Sequence, residues 1–458
     1  MPEPVSRRKT RRPPAGRYRV ETWGCQMNVH DSEKLAGSLE RQGYIRADGL
    51  ADADVILLNT CSIREKAAEK VFSELGRLKP LKRKNPGLIL GVCGCVAQQE
   101  AERIFERAPY VDFVLGPRAT GSLASTLARL RAGDRTAVHS VDTELREDSI
   151  QFPFDEIRRE GECSGKAFVT IIEGCNHRCT YCIVPTTRGR EICREMDRIL
   201  DEVRSLAGRG ILEIEFLGQT VNAYRDGAGR TLGDLLQATA EIEGIRRIRF
   251  TTSHPAQMTE PLMAAMAAAR PEVCPYLHLP AQSGSNDVLR AMRRGYDREG
   301  YLRKIDALRK RIPGLALGTD IIVGFPAETE EDFGETLSLL DEVGFDTLYS
   351  FAYSPRPGTA ALQLDDPIPS AVKTERLGRV QERQKAIQAS RNRAWVGREV
   401  EVLVEGPSKR DPEKWTGRTP ENRIVHFPGA SGPGRLERLK ILESTPYCLF
   451  AAAPESFA

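Results

Sequence analysis

From Arg17 onward, short apolar runs alternate with stretches whose apolar residues recur at helical spacing. Residues 18–23 precede a helical stretch at 31–42, residues 54–58 precede one at 63–78, and runs at 88–92 and 111–115 continue the alternation. Ile63, Ala67, Phe72, Leu75 and Leu78 fall at helical spacing, whereas the unbroken Val55-Ile56-Leu57-Leu58 run reads as a strand. Together they predict a small parallel α/β sheet over residues 17–133. A polar, charged stretch at 134–160 reads as a linker. A second α/β region over 161–393 has apolar runs at 167–172, 211–217, 248–252, 276–279, 315–323 and 347–353. Six strands with intervening helices predict a curved parallel sheet, either a partial barrel or an open doubly wound sheet. After Gly397 the texture changes to alternating residues, with Gly- and Pro-rich turns, which predicts a small all-β barrel over 394–458.

Composition narrows the class. With 40% hydrophobic and 29% charged residues among 458, and no apolar run near the length of a membrane span, the chain reads as soluble and globular, with no membrane role. Eleven cysteines without an apolar secretory signal point to a reducing compartment, the cytoplasm by default, where close cysteines bind metal more often than they form disulfides. Residues 1–16 read as a basic flexible arm. Without the seven basic and one acidic residues of positions 1–19, the body carries a slight acidic excess, so any RNA-binding surface must be a local patch. One candidate is the stretch 370–393, a basic helix with seven Lys/Arg against two Glu. It reads either as a solvated face or as an RNA-facing stripe.

The cysteines sit at defined places in this pattern. Cys175, Cys179 and Cys182 form a C-x3-C-x2-C loop directly after the first strand of the second region. Three thiolates can hold three corners of an iron–sulfur cluster and leave the fourth iron open, whereas a structural zinc site asks for a fourth ligand that His177 is poorly placed to give. S-adenosylmethionine can chelate such an open iron, and reduction then cleaves its sulfonium to a 5′-deoxyadenosyl radical. Tyr181, between the second and third thiols, can pack on the adenine or shield the cluster. Cys25, Cys61 and Cys95 each follow a predicted strand and precede a predicted helix, so the strand ends of one parallel sheet would bring them together as a second cluster site. Buried, unliganded thiols are the competing reading for these three. Polar groups follow later strands at the same edge: 218–222, 253–255, 282–285 and 354–356. Several such groups on one face favour a ligand cavity.

These stretches carry a resemblance. The C-x3-C-x2-C loop is similar to that of the radical S-adenosylmethionine superfamily. The chain from about Arg17 resembles the methylthiotransferases within it, through Gly24-Cys25-Gln26-Met27-Asn28, Asn59-Thr60-Cys61, Gly94-Cys95-Val96-Ala97-Gln98, Leu217-Gly218-Gln219, His278-Leu279-Pro280-Ala281-Gln282 and Ser354-Pro355-Arg356-Pro357. The resemblance implies a methylthiotransferase domain holding an auxiliary [4Fe-4S] cluster on Cys25, Cys61 and Cys95. It also implies a partial (β/α)6 radical barrel holding a [4Fe-4S] cluster on Cys175, Cys179 and Cys182, and a C-terminal TRAM barrel that grips tRNA. Gly218, Gln219 and Tyr181 would border the S-adenosylmethionine pocket. The implied reaction adds sulfur and a methyl group at C2 of N6-isopentenyladenosine at position 37, in the tRNA anticodon loop. It uses two S-adenosylmethionine molecules and a reductant such as flavodoxin or ferredoxin, and the implied enzyme is a monomer. Cys93 departs from the family pattern two positions before Cys95, which still fills the Gly-Cys-x-Ala-Gln slot. Cys163, Cys193, Cys274 and Cys448 match no ligand slot.

Sister activities on threonylcarbamoyl-adenosine in tRNA or on a ribosomal-protein aspartate share this chemistry. A different class of reading is a non-enzymatic RNA-binding protein with structural zinc.

Overall fold

The computed structural model describes residues 14–62, 66–147, 157, 164–429 and 431–454. Most of the basic arm, much of the linker, Ile63 and Cys163 therefore lie outside the described residues. The chain divides into two compact units, 1–158 and 159–458.

The first unit is a six-stranded parallel sheet. Its strands are β1 (Gly16–Trp23), β2 (Tyr44–Arg46), β3 (Val55–Thr60), β4 (Ile89–Gly94), β5 (Phe113–Leu115) and β6 (Ser140–Asp142), in the order β2-β1-β3-β4-β5-β6. Helices α1 (Gln26–Arg41), α2 (Lys66–Lys84), α3 (Cys95–Glu100), α4 (Arg103–Arg107) and α5 (Leu123–Arg131) connect them. Every residue of β3 and β4 is buried, as expected where helices cover both faces of a parallel sheet. Each fully buried Val, Leu or Ile there contributes about 1.5–3 kcal/mol. Strand β6 pairs with β5 inside the stretch 134–160 that the sequence assigns to a linker. The first domain therefore runs past residue 133. Three residues are too few for an alternating pattern to show in a polar context.

The second unit begins with β7 (Lys166–Thr170) and the short antiparallel pair β8 (Ile172–Glu173) and β9 (Ile192–Cys193). The remaining core strands are β10 (Glu213–Leu217), β11 (Arg247–Phe250), β12 (Tyr276–His278), β13 (Ala316–Val323) and β14 (Thr347–Ala352). The helices are α6 (Val184–Arg188), α7 (Met196–Gly208), α8 (Leu232–Ala240), α9 (Glu260–Ala268), α10 (Asn286–Ala291), α11 (Arg298–Arg311) and α12 (Glu330–Val343). Parallel ladders join β7-β10-β11 and β12-β13-β14, and a single bridge from Ile248 to Val273 spans the break. The strands thus follow one another in chain order with no reversal. That is a partial barrel, not a doubly wound sheet.

Helix α13 (Ser370–Arg393) packs back on this barrel, with Lys373 and Arg376 buried and Arg379, Arg383, Lys385 and Arg393 exposed. Lys373 pairs with Asp366, Arg376 with Glu328 and Glu330, Arg379 with Glu330, Arg383 with Asp341 and Arg391 with Asp346. The helix is an ion-paired strap.

A closed antiparallel-rich barrel follows, made of β15 (Glu399–Pro407), β16 (Lys414–Arg418), β17 (Ile424–Pro428), β18 (Leu436–Ser444) and β19 (Leu449–Ala451). It docks where the core strands begin. Arg247 donates to the Arg418 carbonyl (2.8 Å) and Glu401 Oε1 (2.9 Å), and Arg249 to the carbonyls of Thr419 (2.7 Å) and Pro420 (2.8 Å). Among the described residues, no helix is long and apolar enough to cross a membrane.

Candidate functional site

In the first unit, register explains why three cysteines separated in sequence become neighbours. Trp23, Thr60 and Gly94 lie side by side at the C-terminal ends of β1, β3 and β4. Cys61 and Cys95 follow directly, and Cys25 follows after one glycine. Gly24 and Gly94 permit this packing. A Cβ at Gly24 would meet the Cys61 Cβ at 2.5 Å, and one at Gly94 would meet Asn59 Oδ1 at 2.3 Å. Asn28 Oδ1 lies 3.3 Å from the Cys25 sulfur, and Asn59 donates to the Asn28 carbonyl and to Ser32, which fixes the start of α1 against β3. Cys93 points elsewhere. It is buried in the apolar cluster of Leu35, Leu57 and Leu115, where burial pushes its thiol up to about 12. Cys95, not Cys93, stands at the shared edge.

In the second unit, β8 and β9 bracket the loop that carries Cys175, Cys179 and Cys182, all half-buried. Gly174 adopts φ +81°, and a Cβ there would meet the Arg190 carbonyl oxygen at 2.1 Å, so the returning strand seals the loop only around a glycine. Glu191 closes it further, accepting from the Asn176 backbone N–H and side-chain amide, both at 3.0 Å. From the end of β10, Gln219 Oε1 accepts from Gly174 N (2.5 Å) and Thr220 Oγ1 lies 3.2 Å from Cys175 Sγ. The Val184 N–H donates to Cys182 Sγ at 3.4 Å. Burial raises the Cys175 thiol and pushes that of Cys182 up to about 12, and the neighbouring thiols add to both shifts.

Several of the sequence-predicted polar groups converge here. Asn222 clamps the His254 backbone with two hydrogen bonds, and the His254 ring stacks on His177 with centroids 3.8 Å apart. Burial and the nearby Arg294 charge pull His254 down to about 2, so it is neutral. His177 is thus committed to stacking. The serines of 282–285 serve packing instead: Ser285 caps α10 and bonds Asp332, and Ser283 meets Thr336. Gly218 sits against Ile172, and Tyr181 lies edge-on to Phe325 with its hydroxyl 3.3 Å from Arg294. Of the aromatic side chains on the last barrel, Phe427 is core. Trp415 is partly buried against it, and Trp395 lies under the guanidinium groups of Arg398 and Arg423. Arg294 is the residue that the sequence does not reveal. It follows Arg293 in a charged turn that reads as solvated, yet it is 5% exposed with Nη1 3.4 Å from Cys179 Sγ.

Among the described residues, no three His, Cys, Asp or Glu side chains converge tightly enough to share one metal ion. Thiols at a four-iron cluster are spread more widely, because each holds a different iron. The residues fit such a group: three half-buried thiols on one loop.

A three-thiol loop after the first strand of a parallel partial barrel defines a radical S-adenosylmethionine enzyme, and the Radical SAM superfamily matches residues 169–340. Uncharacterized protein family UPF0004 matches 17–116 and the TRAM domain matches 393–453. The tRNA-2-methylthio-N(6)-dimethylallyladenosine synthase of Halorhodospira halophila is 48% identical over 440 residues, 94% of this chain and 91% of the relative. The synthases of Alkalilimnicola ehrlichii and Clostridium botulinum (strain Loch Maree) are 46% and 45% identical, each over 95% of this chain and 96% of the relative. The chain therefore belongs to the family of tRNA-2-methylthio-N(6)-dimethylallyladenosine synthases. Among solved structures, the radical S-adenosylmethionine methyltransferase TsrM of Kitasatospora setae, with cobalamin and a [4Fe-4S] cluster bound, has a TM-score of 0.57 at 14% identity, covering 75% of this chain and 76% of that one. OxsB with aqua-cobalamin bound has a TM-score of 0.55 at 15% identity, covering 81% and 56%. At these identities the likeness is one of fold.

Proposed function

We propose that the chain converts N6-(dimethylallyl)adenosine at position 37 of tRNA to its 2-methylthio derivative, consuming two S-adenosylmethionine molecules. The observation that carries this reading is the presence, in a chain 48% identical to such a synthase, of two separate three-cysteine groups at strand ends. When bound, a [4Fe-4S] cluster with one open iron supplies one-electron cleavage of S-adenosylmethionine, and an auxiliary [4Fe-4S] cluster supplies the sulfur.

Cys175, Cys179 and Cys182 would hold the first cluster, and Cys25, Cys61 and Cys95 the second. Gln219, Thr220 and Glu191 keep the three-thiol loop in shape through the contacts to Gly174, Cys175 and Asn176. Gly218, Gln219 and Tyr181 border the same loop and would line the S-adenosylmethionine pocket, with Tyr181 excluding water. The TRAM barrel would hold the tRNA. The protein would work as a monomer in the cytoplasm with flavodoxin or ferredoxin as reductant.

Nucleoside mass spectrometry tests the reading. A deletion strain should lose the 2-methylthio group from isopentenyladenosine and regain it on complementation with this chain. Retention of the group in the deletion strain would remove the proposed substrate. Metal analysis separates the zinc-binding alternative, because two four-iron clusters give about eight irons per chain.

A further inference from the structure

Residues 179–181 of the three-thiol loop all bond to one turn at the end of α10. Arg294 Nη1 donates toward Cys179 Sγ (3.4 Å), Thr180 N and Oγ1 donate to the carbonyls of Met292 (3.1 Å) and Ala291 (2.9 Å), and Tyr181 Oη meets Arg294 Nη1 at 3.3 Å. The turn is shaped to aim Arg294 inward: Arg293 and Gly295 on either side take φ of +55° and +70°. Two of the other three guanidinium hydrogens are also placed, with Nη2 donating to the Pro280 carbonyl (3.1 Å) and Nε to Tyr296 Oη (3.1 Å).

Among the described residues no Asp or Glu forms an ion pair with Arg294, and its neighbours are Cys179, Tyr181, Tyr296 and a carbonyl. A guanidinium removed from water needs a compensating charge, and of these neighbours Cys179 is the one that would join it to a negatively charged cluster. Hydrogen bonds and positive charge at a cluster sulfur stabilise the reduced, more negative state over the oxidised one.

We propose that Arg294 is a positioning residue for the radical cluster: through Cys179 Sγ it supplies the cluster's buried counter-charge and holds its reduction potential up. The inference rests on the assignment of Cys175, Cys179 and Cys182 as cluster ligands. A purely structural brace would change stability and leave the potential alone.

The test is a redox titration of the reconstituted full chain, followed by electron paramagnetic resonance. The signal to follow is the one that changes on adding S-adenosylmethionine and persists in Cys61→Ala, because both clusters have three thiol ligands and that substitution removes a ligand of the auxiliary one alone. R294Q should lower its midpoint by an amount equivalent to at least a tenfold change in the reduction equilibrium, about 59 mV for a one-electron couple. R294K keeps the charge and loses the fork, so its midpoint should fall by less. A loaded R294Q protein with an unchanged midpoint overturns the inference. If R294Q does not load, R294M, which also removes the charge, decides: a lowered midpoint supports the inference and an unchanged one overturns it. An unsubstituted protein with no signal sensitive to S-adenosylmethionine would overturn the ligand assignment itself, and the inference with it.

Discussion

At the residue scale, Gly174 shapes the three-thiol loop before any cofactor binds. Its φ of +81° and the 2.1 Å approach that a Cβ would make to the Arg190 carbonyl leave no room for a side chain. Gly174→Ala forces the β8–β9 return to open, at a local cost of about 1–3 kcal/mol. Iron after reconstitution should fall from about eight to about four per chain, because the auxiliary site is untouched. Full loading in the variant would show that the loop tolerates the opening. The cysteines themselves were legible in the sequence, since spacing is a one-dimensional property. Arg294 was not, because whether an arginine faces water or sulfur depends on a turn conformation set by Arg293 and Gly295.

At the scale of elements, α13 shows what charge counting leaves out. Seven Lys/Arg on one helix predict an exposed basic face, yet Arg376 is buried and donates to the buried Glu328, whose carboxyl is raised by that burial. Arg376→Ala leaves Glu328 unpaired in the interior and should cost about 3–5 kcal/mol in a denaturant titration. A change within about 0.5 kcal/mol would mean that the pair is solvated after all. The partners were invisible from sequence because Glu330 and Asp341 lie on α12 and Glu328 and Asp346 in the loops flanking it, tens of residues away. The six core strands were legible, since each is an apolar run bounded by polar turns. Strand order then resolved what periodicity could not, because a partial barrel and a doubly wound sheet have the same alternation.

At the scale of the molecule, three folds in one chain divide the work. The first unit gathers Cys25, Cys61 and Cys95 at adjacent strand ends, the partial barrel carries the three-thiol loop, and the last barrel is fastened to the core by Arg247 and Arg249. On the proposed function, radical generation and sulfur insertion belong to separate cysteine groups. The most direct measurement is mass spectrometry of one anaerobic reaction of Cys61→Ala with S-adenosylmethionine, reductant and isopentenyladenosine-containing tRNA, reading both 5′-deoxyadenosine and the modified nucleoside. Cys61→Ala should form 5′-deoxyadenosine and no 2-methylthio nucleoside. Formation of the 2-methylthio nucleoside by this variant would contradict that separation.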